Sequence, residues 1–70
     1  MTREKIVYYN YPKVLIFTTL ADIDNETPTI RAFEFLGAAE LYANMLNSSF
    51  SFPLIRVINY DGSIYCEYEN

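Results

Sequence analysis

Histidine and tryptophan are absent from this 70-residue sequence, and cysteine occurs once, as Cys66. Without histidine the chain lacks the commonest general base and metal ligand, which excludes Ser-His-Asp and Cys-His arrangements. A single cysteine excludes an internal disulfide. The two glycines, Gly37 and Gly62, stand apart, so there is no glycine-rich phosphate loop. These absences predict a protein that is not an enzyme, with no catalytic residue, metal site or cofactor.

Basic residues are also scarce, with five Lys and Arg against nine Asp and Glu, a net charge of −4 and a pI near 4.4. Proteins that bind nucleic acids draw much of their affinity from lysine and arginine on phosphates. Direct binding to DNA, RNA or an anionic membrane is therefore not expected. A negative surface instead favours basic partners, or contributes nothing more than solubility.

Long hydrophobic runs are missing, since no segment reaches the roughly 20 apolar residues that a membrane helix needs. The first residues do not match a secretory signal, and we expect a cytoplasmic location. Hydrophobic residues nevertheless make up 51% of the chain and aromatics 17%. This composition predicts one folded domain, residues 1–70, with a thin core.

Short runs of β-forming residues between turn formers predict strands at residues 6–9, 13–20, 29–35, 54–60 and 63–68. Residues 22–28 hold turn formers apart from Ile23 and predict a hairpin loop. Residues 36–47 predict the one helix. The expected fold is therefore α+β, an antiparallel sheet of four or five strands in the order (β)ββαββ with the helix on one face.

The predicted helix has more apolar surface than one sheet can cover. Ala39 and Ala43 are small enough to approach the sheet closely. Leu41, Tyr42 and Met45 belong to an apolar arc of about 220°, whereas a helix on a sheet needs little more than about 100°. We therefore expect a second contact on this helix.

The pair Asp61-Gly62 between two strands predicts a hairpin with a two-residue type I′ turn. This loop length sets three cross-strand pairs: Arg56 with Glu67, Ile58 with Tyr65, and Tyr60 with Ser63. The alternate residues form the expected core side: Ile55, Val57, Ile64, Cys66 and Tyr68. Cys66 should accordingly be a buried, unreactive thiol.

Tyrosines around this hairpin are candidates for a protein interface, because tyrosine combines a large apolar ring with a polar group. The alternative is that they close a thin core with their hydroxyls in water, which is the interpretation we favour for Tyr68. The candidate partner-binding residues on the hairpin and the helix are Tyr60, Tyr65, Ile58, Leu41, Met45 and Tyr42. The alternatives are a homodimer that sequesters a nucleotide-like ligand between its subunits, and a structural virion or accessory subunit.

Acidic side chains alternate at Asp22, Asp24 and Glu26, as in the first half of a calcium-binding loop. The glycine and the distal glutamate of such a loop are missing. A solvated hairpin loop without a metal is therefore the expected structure.

About half of the chain resembles small phage-encoded proteins. The chain is similar in this way to anti-CRISPR proteins with a compact sheet and one helix. The residues that carry the resemblance are Ala39 and Ala43 in the helix, the segment Tyr60-Asp61-Gly62, and the aromatic residues Tyr65 and Tyr68. The resemblance implies an inhibitor that binds a bacterial defence protein by surface complementarity in the host cytoplasm.

Overall fold

A computed structural model describes residues 10–70, which form four strands and two helices. In chain order these are β1 (Lys13–Phe17), α1 (Leu20–Asn25), β2 (Thr29–Ala32), α2 (Leu36–Ser49), β3 (Leu54–Ile58) and β4 (Ile64–Glu69). The strands form one antiparallel sheet in the order β2-β1-β3-β4, and α2 packs on one face. The predicted α+β class is confirmed. The strand predicted at residues 6–9 lies outside the described residues.

The core lies between α2 and the two central strands. Alternate residues of β1 and β3 face the helix, as the period of a strand requires. Ala39 and Ala43, four residues apart on one side of α2, are completely buried, as the sequence predicts. The core cluster consists of Val14, Ile16, Ala39, Ala43, Ile55 and Val57. Cys66 and Tyr68 of β4 are half-buried against its margin.

The prediction of a loop from residue 22 is wrong, because residues 20–25 form α1. The backbone N–H of Asp22 donates to Thr19 Oγ1 at 3.1 Å, and the Asp22 carboxylate accepts from the Thr19 N–H at 3.2 Å. This reciprocal capping box satisfies donors that a short helix would otherwise leave without partners. It offsets the weak helix propensity of the aspartates, and it ends β1 at Phe17 rather than at residue 20.

Other boundaries also shift, and the strands predicted at residues 54–60 and 63–68 are Leu54–Ile58 and Ile64–Glu69. The strand predicted at residues 29–35 ends at Ala32, after which the Phe33 N–H donates to the Pro12 carbonyl at 2.9 Å. Helix α2 continues to Ser49, past the predicted end at residue 47. The bond from Phe33 continues the β1–β2 pairing by one position, but Pro12 has no N–H to return it and the ladder stops there. The end of α2 differs from the predicted one by two residues, as helix ends commonly do.

The hairpin between β3 and β4 has a three-residue loop rather than the predicted type I′ turn. Gly62 donates its N–H to the Asn59 carbonyl at 3.1 Å, and Asn59 donates to the Ser63 carbonyl at 2.8 Å. Within residues 10–70 φ is positive only at Gly62 and Glu26, so Asp61 does not adopt the conformation that a type I′ turn needs. A type I turn followed by a left-handed glycine fits these bonds.

This loop shifts the strand pairing by one residue between Val57 and Ile58. Arg56 lies opposite Glu67, as predicted, but the other two predicted pairs are wrong. Ile58 lies opposite Ile64, and Tyr65 is the extra residue of the bulge. Ile64 is consequently 55% exposed instead of lying on the core side.

The two glycines provide a matched test of this turn. Gly62→Ala should lower the free energy of unfolding by about 1–2 kcal/mol, because φ there is +91° and a Cβ strains the left-handed conformation. Gly37→Ala should raise it by up to about 1 kcal/mol, because Gly37 lies in α2 with open space around a new Cβ. Urea denaturation followed by circular dichroism measures both changes. A neutral Gly62→Ala would contradict the three-residue loop.

Candidate protein-binding surfaces

The outer surface of α2 exposes two of the candidate residues. Leu41 and Met45 are each 60% exposed and are four residues apart, which places them on one side of the helix. Tyr42 is half-buried instead. Its ring centre lies 5.2 Å from that of Phe33, and the Arg31 guanidinium lies 5.1 Å from the Tyr42 ring. The outer surface therefore consists of Leu41 and Met45, and Tyr42 belongs to the edge of the core.

The β3–β4 hairpin exposes two more candidates. Tyr60 and Tyr65 are 45% and 44% exposed, and the Tyr60 hydroxyl donates to the Glu34 carbonyl at 3.4 Å. Ile58 is buried, with 8% exposure, and contributes to packing rather than to this surface. Because the bulge separates Tyr65 from the position opposite Ile58, the predicted grouping of Ile58, Tyr60 and Tyr65 does not occur.

The sheet face opposite α2 is ordered in cross-strand rows. One row runs across all four strands, through Ile30, Leu15, Arg56 and Glu67. The next row joins Phe17, Leu54 and Glu69. These two rows therefore change from apolar at β2 and β1 to acidic at β4, whereas the row beside the β3–β4 hairpin holds Lys13 on β1 and Ile64 on β4.

A groove of about 500 Å³, here called the open-face groove, lies on this face beneath α1. Its lining consists of Leu15, Phe17, Ile23, Glu26, Pro28, Ile30, Leu54 and Arg56. The sequence prediction missed it, although β1 carries a signal. Leu15 and Phe17 alternate with the core residues of β1, so this strand is apolar on both of its faces. Such a strand usually belongs to a sheet that is covered on both faces, which indicates a contact on the face opposite α2.

Helix α1 supplies one wall of the groove, and Asp22 holds this helix in place. The Asp22 carboxylate accepts from the Thr18 hydroxyl at 2.7 Å, the Thr18 N–H at 3.1 Å and the Thr27 hydroxyl at 3.2 Å. One side chain thus joins the residues before α1 to those after it. Ile23 and the left-handed Glu26, with φ of 54°, reach the groove from this fixed segment.

Three basic residues lie within 10–70, and the two arginines contact groups of the chain itself. The Arg56 Nε donates to Glu67, and its guanidinium lies 5.6 Å from the centre of the Phe17 ring. Arg31 stacks over the Phe33 and Tyr42 rings. Lys13 is half-buried, and this burial lowers its pKa. The exposed charge of the described surface is largely acidic, because residues 10–70 hold eight Asp and Glu against these three basic residues.

Two further groups were singled out by sequence. Asp22, Asp24 and Glu26 lie on α1 and its C-terminal cap, and residues 10–70 contain no group of three or more potential metal ligands placed to hold an ion. Cys66 pairs with Val57 and packs at the margin of the core, where desolvation raises the pKa of its thiol. The predicted inward orientation of Cys66 is confirmed, although Ile64 does not join it.

Comparison with protein-family models, curated proteins and solved structures finds no match. Within residues 10–70, neither helix is long and apolar enough to cross a membrane.

The hydrogen bonds to Asp22 predict a specific response to acid. The Thr18 hydroxyl contributes most to lowering the pKa of Asp22 below its ordinary value of 3.8. A carboxylate with a lowered pKa stabilises the fold above the pKa of the unfolded chain, and this contribution is lost as the pH falls through the lower folded value. The ¹³C shift of the Asp22 carboxyl should titrate below 3.8, together with the Thr18 amide.

Asp22→Asn is the control for this titration, because it keeps the size of the side chain and removes its ionisation. The acid response of the Thr18 amide should disappear in this variant. A carboxyl midpoint at or above 3.8 in the unaltered protein would contradict the assigned role of Asp22.

Proposed function

We propose that this chain is a non-enzymatic module that binds a basic protein partner. The observation that carries the proposal is the excess of acidic side chains within residues 10–70, eight Asp and Glu against three Lys and Arg. Most of these carboxylates face solvent, and the Arg56 guanidinium is paired with one of them, Glu67. Complementary charge speeds association and selects partners of opposite sign.

Exposed apolar side chains provide the other requirement of an interface. Tyr60 and Tyr65 on the hairpin and Leu41 and Met45 on α2 each expose 44–60% of their surface. Aromatic residues of this kind dominate binding energy when a partner buries them. The hairpin is the better candidate, because the Tyr60 hydroxyl bond to Glu34 limits the freedom of that side chain before binding.

The finer proposal follows from the resemblance to small phage-encoded inhibitors. In this form the partner is a bacterial defence protein or a nucleic-acid enzyme, and binding takes place in the host cytoplasm. A basic nucleic-acid-binding groove of such an enzyme would attract the acidic surface, since the carboxylates offer the charge that phosphates normally supply.

Replacing Tyr60→Ser and Tyr65→Ser together should weaken partner capture by about tenfold or more, because interface tyrosines are frequent hot spots. The measurement is affinity capture from a bacterial lysate at low salt, followed by binding curves with the captured protein. Capture should also fall as salt screens the charges.

Phe50→Ser is the matched control for this experiment. Phe50 is 56% exposed and precedes β3, so it lies at the end of the sheet away from the hairpin. Circular dichroism should show unchanged folding for both proteins. Equal capture by the double variant and the control would place the interface elsewhere.

Self-association is the second candidate, favoured by the exposure of Leu41 and Met45 on one side of α2. A two-fold contact would bury both side chains twice and add core to a small domain. Sedimentation equilibrium should then show a dimer that Met45→Glu converts to a monomer. A monomer at all concentrations would exclude this candidate.

A further inference from the structure

We infer that the open-face groove receives one bulky apolar side chain from a partner segment that carries lysine or arginine beside it. The inference rests on the proposed function and specifies the chemistry of the partner. Neither hairpin tyrosine lines this groove, so the two sites are separately testable.

The apolar part of the occupant follows from the floor of the groove. Ile30 is 47% exposed and Leu15 is half-buried next to it on β1. Ile23 faces them from α1. The volume of about 500 Å³ falls within the range of roughly 300–1,000 Å³ that is usual for binding pockets. A branched or aromatic side chain that enters this space removes apolar surface of both partners from water.

The cationic part follows from the charges at the rim. The one basic group of the lining is Arg56, and Glu67 and the Phe17 ring already engage it. Glu26 stands at the α1 side, and Glu69 lies opposite Leu54 on the same sheet face. The rim therefore carries surplus negative charge, which attracts lysine or arginine and repels an acidic segment.

The same charges argue against a second copy of the chain as the occupant. The protein has a net charge of −4, so two copies meeting at this groove bring like charges together. A segment from a basic partner fits both features, because its apolar side chain matches the floor of the groove and its lysine or arginine matches the negative charge at the rim.

The test is a titration of the full-length ¹⁵N-labelled protein with a synthetic Lys-Leu-Lys-Leu-Lys peptide. Amide shift changes should be concentrated at the residues of the open-face groove. A peptide with serine in place of each leucine, and one with glutamate in place of each lysine, should each give much weaker changes. Changes that are absent, that lie elsewhere, or that are equal for the three peptides would overturn the inference.

Two charge reversals provide the matched comparison. Glu26→Lys alters the rim of the groove, whereas Glu40→Lys makes the same charge change on the exposed surface of α2. Glu26→Lys should weaken binding of the Lys-Leu-Lys-Leu-Lys peptide about threefold more than Glu40→Lys does, because a surface charge has a small effect that is confined to its neighbourhood. Equal affinities of the two charge-reversal variants for the peptide would overturn the inference. Ile30→Ser, which leaves the charge unchanged, should also weaken peptide binding because it removes part of the apolar floor.

The outcomes separate this inference from the proposed function. If the hairpin variant loses partner capture while the peptide leaves the groove unperturbed, only the groove assignment fails. If the peptide binds in the groove while capture ignores salt and both tyrosines, the groove assignment stands and the hairpin interface fails.

Discussion

The close packing of two alanines against four β-branched side chains is the contact on which the rest of the molecule depends. Ala39 and Ala43 are completely buried, and their small side chains allow α2 to approach the central strands closely. That orientation turns Leu41 and Met45 away from the sheet, which explains their exposure on an otherwise apolar helix. A chain of this length has one such core, and the further buried apolar residues Phe17, Leu54 and Ile58 lie on the opposite face of the sheet.

The opposite face of the sheet has no long helix within residues 10–70, and α1 covers only one end of it. The position of α1 depends on hydrogen bonds more than on buried apolar area, since none of its residues is buried. Asp22 therefore has a structural role that could not be predicted from aspartate's preference for turns. By joining Thr18 to Thr27, it holds the wall of the open-face groove over the sheet.

The distribution of charge follows from the same geometry. Cross-strand pairing places Arg56 beside Glu67, and the approach of Phe33 to Tyr42 creates an aromatic surface for Arg31. Both arginines consequently have partners within the fold, although Arg31 stays exposed. The acidic character of the described surface comes from its eight Asp and Glu against three Lys and Arg, which supports a basic partner and argues against phosphate binding.

Local pattern determined the central strands, the long helix and the burial of Ala39 and Ala43, because residue periodicity reports which side chains share a face. It did not determine α1, whose stability comes from a capping box in a sequence of turn formers. Nor did it determine the pairing of Ile58 with Ile64, because the Asp-Gly pair lies in a three-residue loop that shifts the register by one residue. The open-face groove depended on tertiary structure alone, since its lining comes from three strands, a helix and the segment after that helix, which only folding brings together.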